Sequence, residues 1–230
     1  MRYDILLWDV DHTLLDFKAA ERFAIRDTFR HFQTDISDAD IADYSVINAA
    51  GWRRYEAGEV TKAEVLTGRF REFFPMIGAK LDPEAFDLYY QSALGDYAFW
   101  MDGAEQLIPR LKPFCRQYLV TNGTALAQRK KLKLSGLDRL ADGIFISEEM
   151  GSNKPEKRFY ELCAAAIESF DPARTLAIGD SLTSDIQGAN NAGLPCCWYN
   201  PEHLPPRPDL RIDYVIDDLR QLPVLLGVEP

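Results

Sequence analysis

The chain carries, at residues 3–16, the stretch YDILLWDVDHTLLD, an apolar run that ends in carboxylates. The apolar part predicts a short buried strand. The acids that follow are Asp9, Asp11 and Asp16, and the first two stand at alternate positions. Alternate positions of an extended chain lie on the same side, so these carboxylates repel each other. A bound cation would offset that repulsion, and the pattern therefore indicates one beside the end of the first strand.

Five further short apolar runs predict strands, and each ends near Asp, Asn, Ser or Gly. Between them, helices are predicted at residues 125–135, 155–169 and 183–192, and Gly136 and Gly193 act as stops for the first and third. Strands that alternate with helices predict an α/β fold, a doubly wound parallel sheet of the Rossmann-like type. The five runs are CRQYLVTNG (115–123), GIFISEE (143–149), RTLAIGD (174–180), PCCWYN (195–200) and DYVIDD (213–218).

The long interval between the first two strands reads as helical. Ser37, Thr61 and Asp82 each stand where a helix N-cap is expected, and Thr61-Lys-Ala-Glu64 has the full capping-box pattern. Aromatic residues recur at helical spacing between 70 and 90, which is typical of packing inside a helical bundle. We therefore expect a helical cap domain at residues 17–97, inserted into a core formed by residues 1–16 and 98–230.

Charge limits the partners that the protein can have. With 26 basic and 36 acidic residues, the net charge is −10, which argues against binding to a nucleic-acid polymer. An anionic small molecule would need a local positive site, such as a metal ion or a lysine. No segment reaches the roughly 20 apolar residues that a transmembrane helix needs, so no membrane contact is expected.

The cysteines indicate the compartment. Cys115, Cys163, Cys196 and Cys197 form no C-x-x-C metal pattern, and adjacent cysteines rarely bridge each other. We therefore expect buried thiols in a reducing cytoplasm. The first apolar run is also too short for a signal peptide.

Polar and charged residues follow four of the predicted strands. Because ligands of open α/β sheets bind at the carboxyl ends of the strands, these residues are expected to converge. Clustered carboxylates suit a hard divalent cation, and Mg²⁺ fits best because it takes oxygen ligands and shares its shell with phosphates. The candidate site residues are Asp9, Asp11, Thr121, Asn122, Lys154, Asp180 and Asp185.

The same segments carry a family resemblance. Four of them resemble, in the right order, the motifs of the haloacid dehalogenase-like hydrolases: DVDHTLLD (9–16), LVTNG (119–123), Lys154-Pro155 and GDSLTSD (179–185). The resemblance implies that the helical insertion is the mobile cap of that family.

A second set of segments narrows the resemblance. GWRRYEAGEVTKAEVLTGRF (51–70) and ISEEMGSNKPEKRFY (146–160) are similar to the bacterial 5′-nucleotidase branch. That branch dephosphorylates nucleoside monophosphates, often those of pyrimidines.

The resemblance implies a role for each acid. Asp9 would attack phosphorus and form an aspartyl-phosphate. Asp11 would protonate the leaving alkoxide and then deprotonate the attacking water, with its backbone carbonyl facing the metal. Asp180 would bind the metal directly, and Asp185 would hold a metal-bound water or orient Lys154.

Three further residues would contact the phosphoryl group. Thr121 and the backbone amide of Asn122 would hold its oxygens, and Lys154 would neutralise charge on it and on Asp9. Pro155 is expected to keep Lys154 extended and directed away from the following helix.

We therefore predict a Mg²⁺-dependent phosphomonoesterase that acts on a small phosphate ester, with nucleoside 5′-monophosphates as the expected substrates. A phosphatase or phosphomutase of small sugar phosphates would share every core residue, so that alternative stays open. A 2-haloacid dehalogenase is disfavoured because that chemistry needs no metal, whereas Asp11 and Asp180 are present. A non-enzymatic sensor is disfavoured because the motif side chains are intact. The sequence leaves the oligomeric state open.

Overall fold

A parallel sheet organises the first of two units in the computed structural model, which describes residues 2–228. Its six strands are β1 (Ile5–Trp8), β2 (Arg116–Thr121), β3 (Gly143–Ile146), β4 (Thr175–Gly179), β5 (Cys196–Tyr199) and β6 (Tyr214–Ile216). They are ordered β3-β2-β1-β4-β5-β6. The order reverses at β1, which is the place where doubly wound sheets bind their ligands.

The register of the sheet decides which residues meet at its carboxyl edge. Trp8 of β1 stands opposite Leu119 of β2 on one side and Ile178 of β4 on the other. All four residues of β1 are buried, as expected for a strand of a parallel sheet that is covered on both faces. The residues that follow β1, β2 and β4 therefore emerge next to one another.

Helices connect the strands. They are α1 (Phe17–His31), α2 (Asp38–Glu56), α3 (Lys62–Ile77), α4 (Pro83–Leu94), α5 (Ala104–Leu111), α6 (Ala125–Ser135), α7 (Leu137–Leu140), α8 (Ser147–Met150), α9 (Lys157–Ala166), α10 (Gln187–Ala192) and α11 (Leu222–Leu226). The helix predicted over residues 183–192 begins as a wide π-type turn, Leu182–Ile186, and continues as α10. The predicted doubly wound α/β fold is confirmed.

One predicted helix has wrong bounds. We expected a helix over residues 155–169, but α9 spans only Lys157–Ala166. Residues before it form a turn, in which the Glu156 N–H donates to the Asn153 carbonyl at 2.8 Å. After it, Ser169 has a φ of 51°, a left-handed conformation that a helix cannot include.

Contacts divide the described residues into two compact units. The first comprises residues 2–16, 99–125 and 135–228, and its core packs side chains of the sheet against α9 and α10. The second comprises residues 17–98 and 126–134. It includes most of α6 because Ala127 packs into the apolar core formed by α1 to α4.

Capping residues fix where three helices of the second unit begin. The hydroxyls of Ser37 and Thr61 accept hydrogen bonds from the N–H groups of Asp40 and Glu64, and the two carboxylates accept from the N–H groups of the capping residues. Both helices therefore start with complete capping boxes. Asp82 accepts from the Glu84 N–H at 3.0 Å at the start of α4. These three predicted N-caps are confirmed.

A buried polar network links the four helices α1 to α4. The Arg69 guanidinium donates to Asp87 Oδ1 at 2.6 Å and to Asn48 Oδ1 at 2.8 Å. The Asn48 amide donates in turn to Glu21 Oε1 at 2.6 Å. All four residues are at least nine-tenths buried, so the charges of this network are held by one another rather than by water.

Two further sequence expectations concern membrane-spanning helices and the cysteines. Within residues 2–228 no helix combines the length and the apolar character needed to cross a membrane. The four cysteines are all buried and unbridged, as expected.

Candidate active site

Lys154 lies at the centre of the polar residues that follow the strands. Its Nζ donates to Asp9 Oδ1 at 2.7 Å, to Asp185 Oδ1 at 2.7 Å and to the Val120 carbonyl at 3.0 Å. The residue is only 1% exposed. An ammonium has three donors, and this arrangement uses all three. The position of the charge is therefore fixed from three sides.

Asp185 reaches Lys154 because Gly179 leaves room for it. A Cβ at Gly179 would lie 2.2 Å from the Asp185 carboxylate carbon, which no real contact allows. The second carboxylate oxygen of Asp185 accepts from the Ser181 N–H at 3.0 Å. Both oxygens of Asp185 thus have protein donors, and the glycine at the end of β4 makes this close approach feasible.

Asp180 is held by two residues to which the sequence reasoning gave no role. The Thr13 hydroxyl donates to Asp180 Oδ1 at 3.3 Å, and the Trp198 indole N–H donates to the Asp180 carbonyl at 2.8 Å. Thr13 belongs to the first motif, so its position was a usable signal. Trp198 lies in β5, and nothing in the local sequence marks it as a partner of Asp180.

The carboxylates of Asp9, Asp180 and Asp185 form a cluster that fits a metal ion. One oxygen from each lies within 4.8 Å of the others. Asp9 Oδ2 is buried, and it has no hydrogen-bond partner within residues 2–228. A buried carboxylate oxygen without a donor is costly, and a divalent cation would satisfy it. Since Asp185 already has two donors, Asp9 and Asp180 are the residues best placed to bind Mg²⁺ directly.

Burial and neighbouring charge act on the acids and the lysine in opposite ways. Burial raises the pKa of Asp9 to about 7; the Lys154 ammonium opposes this increase, and the Asp185 carboxylate adds to it. Burial alone would lower the pKa of Lys154, but the carboxylates of Asp185 and Asp9 outweigh it and raise the pKa above its usual value. Lys154 therefore stays charged, whereas Asp9 needs a further cation to be fully ionised near neutral pH.

Thr121 and Asn122 lie at the carboxyl end of β2, as predicted, and both are at least nine-tenths buried. The Thr121 hydroxyl accepts from the Gly123 N–H at 3.1 Å. The Asn122 side chain, for which no role was predicted, bonds both the N–H and the carbonyl of Lys154. Contact of either residue with a phosphoryl group remains a prediction.

Asp11 stands in the turn that follows β1. The turn is closed by hydrogen bonds from the N–H groups of Leu14 and Leu15 to the Val10 carbonyl, and His12 in it has a left-handed φ of 67°. Asp11 is half-buried, and its carboxylate contributes to the raised pKa of Asp9. Within the described residues it is not a member of the three-acid cluster. Its acid–base role and its carbonyl contact with a metal remain predictions.

The comparison with known families covers most of the chain and agrees with this geometry. The model of the haloacid dehalogenase-like hydrolase family matches residues 3–193. The chain belongs to this family.

Individual relatives give a finer comparison. The Bacillus subtilis protein YfnB is 38% identical over 228 residues, which are 99% of this chain and 97% of YfnB. Pyrimidine 5′-nucleotidase PynA of Streptococcus pneumoniae is 39% identical over 207 residues, 89% of this chain and 86% of PynA. Pyrimidine 5′-nucleotidase YjjG of Escherichia coli is 27% identical over 226 residues, 98% of this chain and 99% of YjjG. The resemblance to the nucleotidase branch is thus confirmed.

A solved structure supports the family assignment. The crystal structure of YfnB bound to magnesium superposes on this chain with a TM-score of 0.94. The match covers 99% of this chain and 100% of the YfnB chain. At 38% identity this is a likeness of both fold and sequence.

Proposed function

We propose that the protein is a Mg²⁺-dependent phosphomonoesterase that hydrolyses nucleoside 5′-monophosphates through an aspartyl-phosphate on Asp9. The observation that carries the proposal is the buried Asp9 carboxylate, with Lys154 on one oxygen and, among residues 2–228, no hydrogen-bond donor on the other. Family membership supports a hydrolase, and the nucleotidases PynA and YjjG support the substrate class.

Asp9 acts as the nucleophile in the first step. Its carboxylate attacks phosphorus, a P–O bond forms, and the bond from phosphorus to the ester oxygen breaks. Lys154, 2.7 Å from Asp9, keeps the carboxylate oriented and reduces its repulsion from the anionic substrate. When bound, Mg²⁺ would supply the remaining positive charge at Asp9, Asp180 and the phosphoryl oxygens.

Asp11 moves the protons. It gives one to the departing alkoxide and then takes one from the water that attacks the aspartyl-phosphate, so that free phosphate and Asp9 are regenerated. Its position supports this role, because it stands two residues after Asp9 in the turn that follows β1, and its charge contributes to the raised pKa of Asp9. Thr121 and the Asn122 amide hold the phosphoryl oxygens at the end of β2.

The helical residues 17–97 are proposed to act as the cap that selects the substrate. A cytoplasmic location is also part of the proposal, and the four buried, unbridged thiols support it.

A panel of phosphate esters tests the proposal. Steady-state rates are measured for purine and pyrimidine nucleoside 5′-monophosphates, hexose phosphates and phosphoglycolate, each with Mg²⁺ and with a chelator. We expect the highest kcat/KM for a nucleotide and loss of activity on chelation. A preference for sugar phosphates would overturn the substrate class, and activity that survives chelation would overturn the metal requirement.

Mg²⁺ is expected to stabilise the protein more at pH 8 than at pH 6. The pKa of Asp9 is raised to about 7 in the fold, against roughly 4 in the unfolded chain. The stability that this group contributes is therefore full below about pH 4 and lost as the pH rises through 7, and a cation on the ionised form compensates for the loss. Near pH 6 a proton competes, so apparent affinity for Mg²⁺ should fall about tenfold.

Thermal unfolding with and without Mg²⁺ measures this effect. At a hundredfold excess over Kd the gain in Tm at pH 8 should be roughly 5–10 °C, with a smaller gain at pH 6. In the Asp9→Asn variant the difference between the two pH values should vanish. An equal gain at both pH values in the wild type would contradict the argument.

A further inference from the structure

The side chain of Asn122 holds the backbone of Lys154 in two directions. Its Nδ2 donates to the Lys154 carbonyl at 2.8 Å, and its Oδ1 accepts from the Lys154 N–H at 2.9 Å. Asn122 is only 9% exposed. A side-chain amide that bonds both the N–H and the carbonyl of one residue mimics the pairing of a neighbouring strand, because it satisfies the backbone donor and acceptor together.

Residues at the end of β2 therefore hold both the backbone and the side-chain ammonium of Lys154. Asn122 holds its backbone, and the Val120 carbonyl accepts from its Nζ at 3.0 Å. The Lys154 carbonyl also accepts from Asn153 at 3.1 Å, but Asn153 is its neighbour in the chain and cannot tie it to the sheet. The contacts from Asn122 and Val120 are therefore the ones that tie Lys154 to the end of β2, the strand that pairs with β1.

Asn122 also reaches the segment that carries Asp185. Its Nδ2 lies 3.4 Å from the Ser184 hydroxyl, and Ser184 is buried in the turn just before Asp185. One side chain at the end of β2 thus contacts the lysine segment and the Asp185 turn. These are the two segments that meet in the ion pair of Lys154 with Asp185, which is 2.7 Å long.

We propose that Asn122 is a positioning residue that sets the location of the Lys154 ammonium between Asp9 and Asp185. The inference rests on the proposed phosphomonoesterase function for its kinetic consequence, but not for its structural one. It assigns to the side chain of Asn122 a task separate from the phosphoryl contact expected of its backbone amide. A side chain that acts in this way affects turnover only through Lys154.

A double-mutant cycle of Asn122→Ala and Lys154→Ala tests this dependence, with the phosphate ester that the wild type turns over fastest. Asn122→Ala alone should lower kcat on the order of 10²-fold, as expected for a misplaced charge, with little change in KM. In the Lys154→Ala background the same change should have almost no further effect. Effects that multiply, or a rise in KM with unchanged kcat, would overturn the proposal.

Asn190→Ala is the matched control. Asn190 makes the same two-way contact with the backbone of Arg211, at 2.9 Å and 2.8 Å, but at the amino end of β6. The Asn190→Ala variant should lose about as much stability as Asn122→Ala and should keep the wild-type kcat. If Asn122→Ala folds poorly, Asn122→Leu replaces it, since leucine has nearly the same shape, carries no charge and lacks both the donor and the acceptor to Lys154. A loss of kcat in Asn190→Ala as large as in the Asn122 variant would overturn the proposal.

Crystal structures of the Asn122 variants give a readout that does not depend on activity. In Asn122→Ala, or in Asn122→Leu, Nζ of Lys154 should no longer lie within hydrogen-bond distance of both Asp9 and Asp185. If Nζ keeps both contacts, the inference is wrong even in an active enzyme. If the wild type hydrolyses no phosphate ester, the proposed function fails, and these structures still decide whether Asn122 positions Lys154.

Discussion

Replacing Asp9 by Asn is expected to reduce turnover on the order of 10⁴-fold or more, while the protein still folds. The amide has the size of the carboxylate, so the buried space after β1 stays filled. It cannot attack phosphorus, and no other acid follows directly on the central strand. The neighbouring carboxylate of Asp185 cannot replace it, because Asp185 already binds Lys154 and Ser181.

Measurement of kcat for Asp9→Asn with the best substrate of the panel gives this loss directly. Asp4→Asn is a suitable control, since Asp4 precedes β1 at its other end and pairs with Arg174 on the surface. It should retain wild-type turnover. Wild-type rates in Asp9→Asn would refute the nucleophile assignment, whereas a matching loss in Asp4→Asn would indicate a general effect of altering this strand.

Replacing Arg69 by Met is expected to lower the free energy of unfolding of the helical unit by about 3–5 kcal/mol. Arg69 is 4% exposed, and its guanidinium holds both Asp87 and Asn48. Without it the Asp87 carboxylate stays buried with no cation beside it, which is the costly half of a broken ion pair. The apolar methionine fills much of the volume, so the loss would come from the unpaired charge rather than from a cavity.

Chemical denaturation of Arg69→Met, followed by a signal from the helical unit, measures the change. Arg71→Met is the control on the same helix, because Arg71 also pairs with an acid of α4, Glu84, but at the surface. Exposed pairs contribute little, so that variant should unfold almost like the wild type. Changing Asp87 to Leu in addition to Arg69→Met should recover part of the loss. Equal effects of the two arginine variants would show that burial of the pair is not what matters.

The parts of the fold that the sequence predicted depend on local chemistry. Apolar runs closed by Asp, Asn or Gly marked the strands, and the hydroxyl or carboxylate of Ser37, Thr61 and Asp82 marked three helix starts within a few residues. The order of the four motifs placed Asp9, Lys154 and Asp180 at one edge of the sheet, because parallel strands end on the same side.

The parts that the sequence did not predict depend on contacts between distant segments. Trp198 binds the Asp180 carbonyl only because β5 lies next to β4, and any backbone carbonyl in reach would have accepted its N–H equally well. The contacts of the Asn122 side chain with the Lys154 backbone could likewise be predicted only by knowing where the two segments meet. Arg69 is a further case, since a charged residue beside aromatic positions of a helix is read as solvent-facing unless its buried partners are known.

The central place of β1 has a consequence for how the reactive carboxylate behaves over time. The Asp9 N–H donates to the Ile178 carbonyl of β4 at 2.9 Å, directly after a strand with neighbours on both sides. Segments of this kind exchange their amide hydrogens only when the whole cooperative unit opens. Local opening at the edge of the sheet therefore leaves the nucleophile in place. A destabilising change at the periphery is expected to lower the fraction of folded molecules and to leave the turnover rate of each folded molecule unchanged.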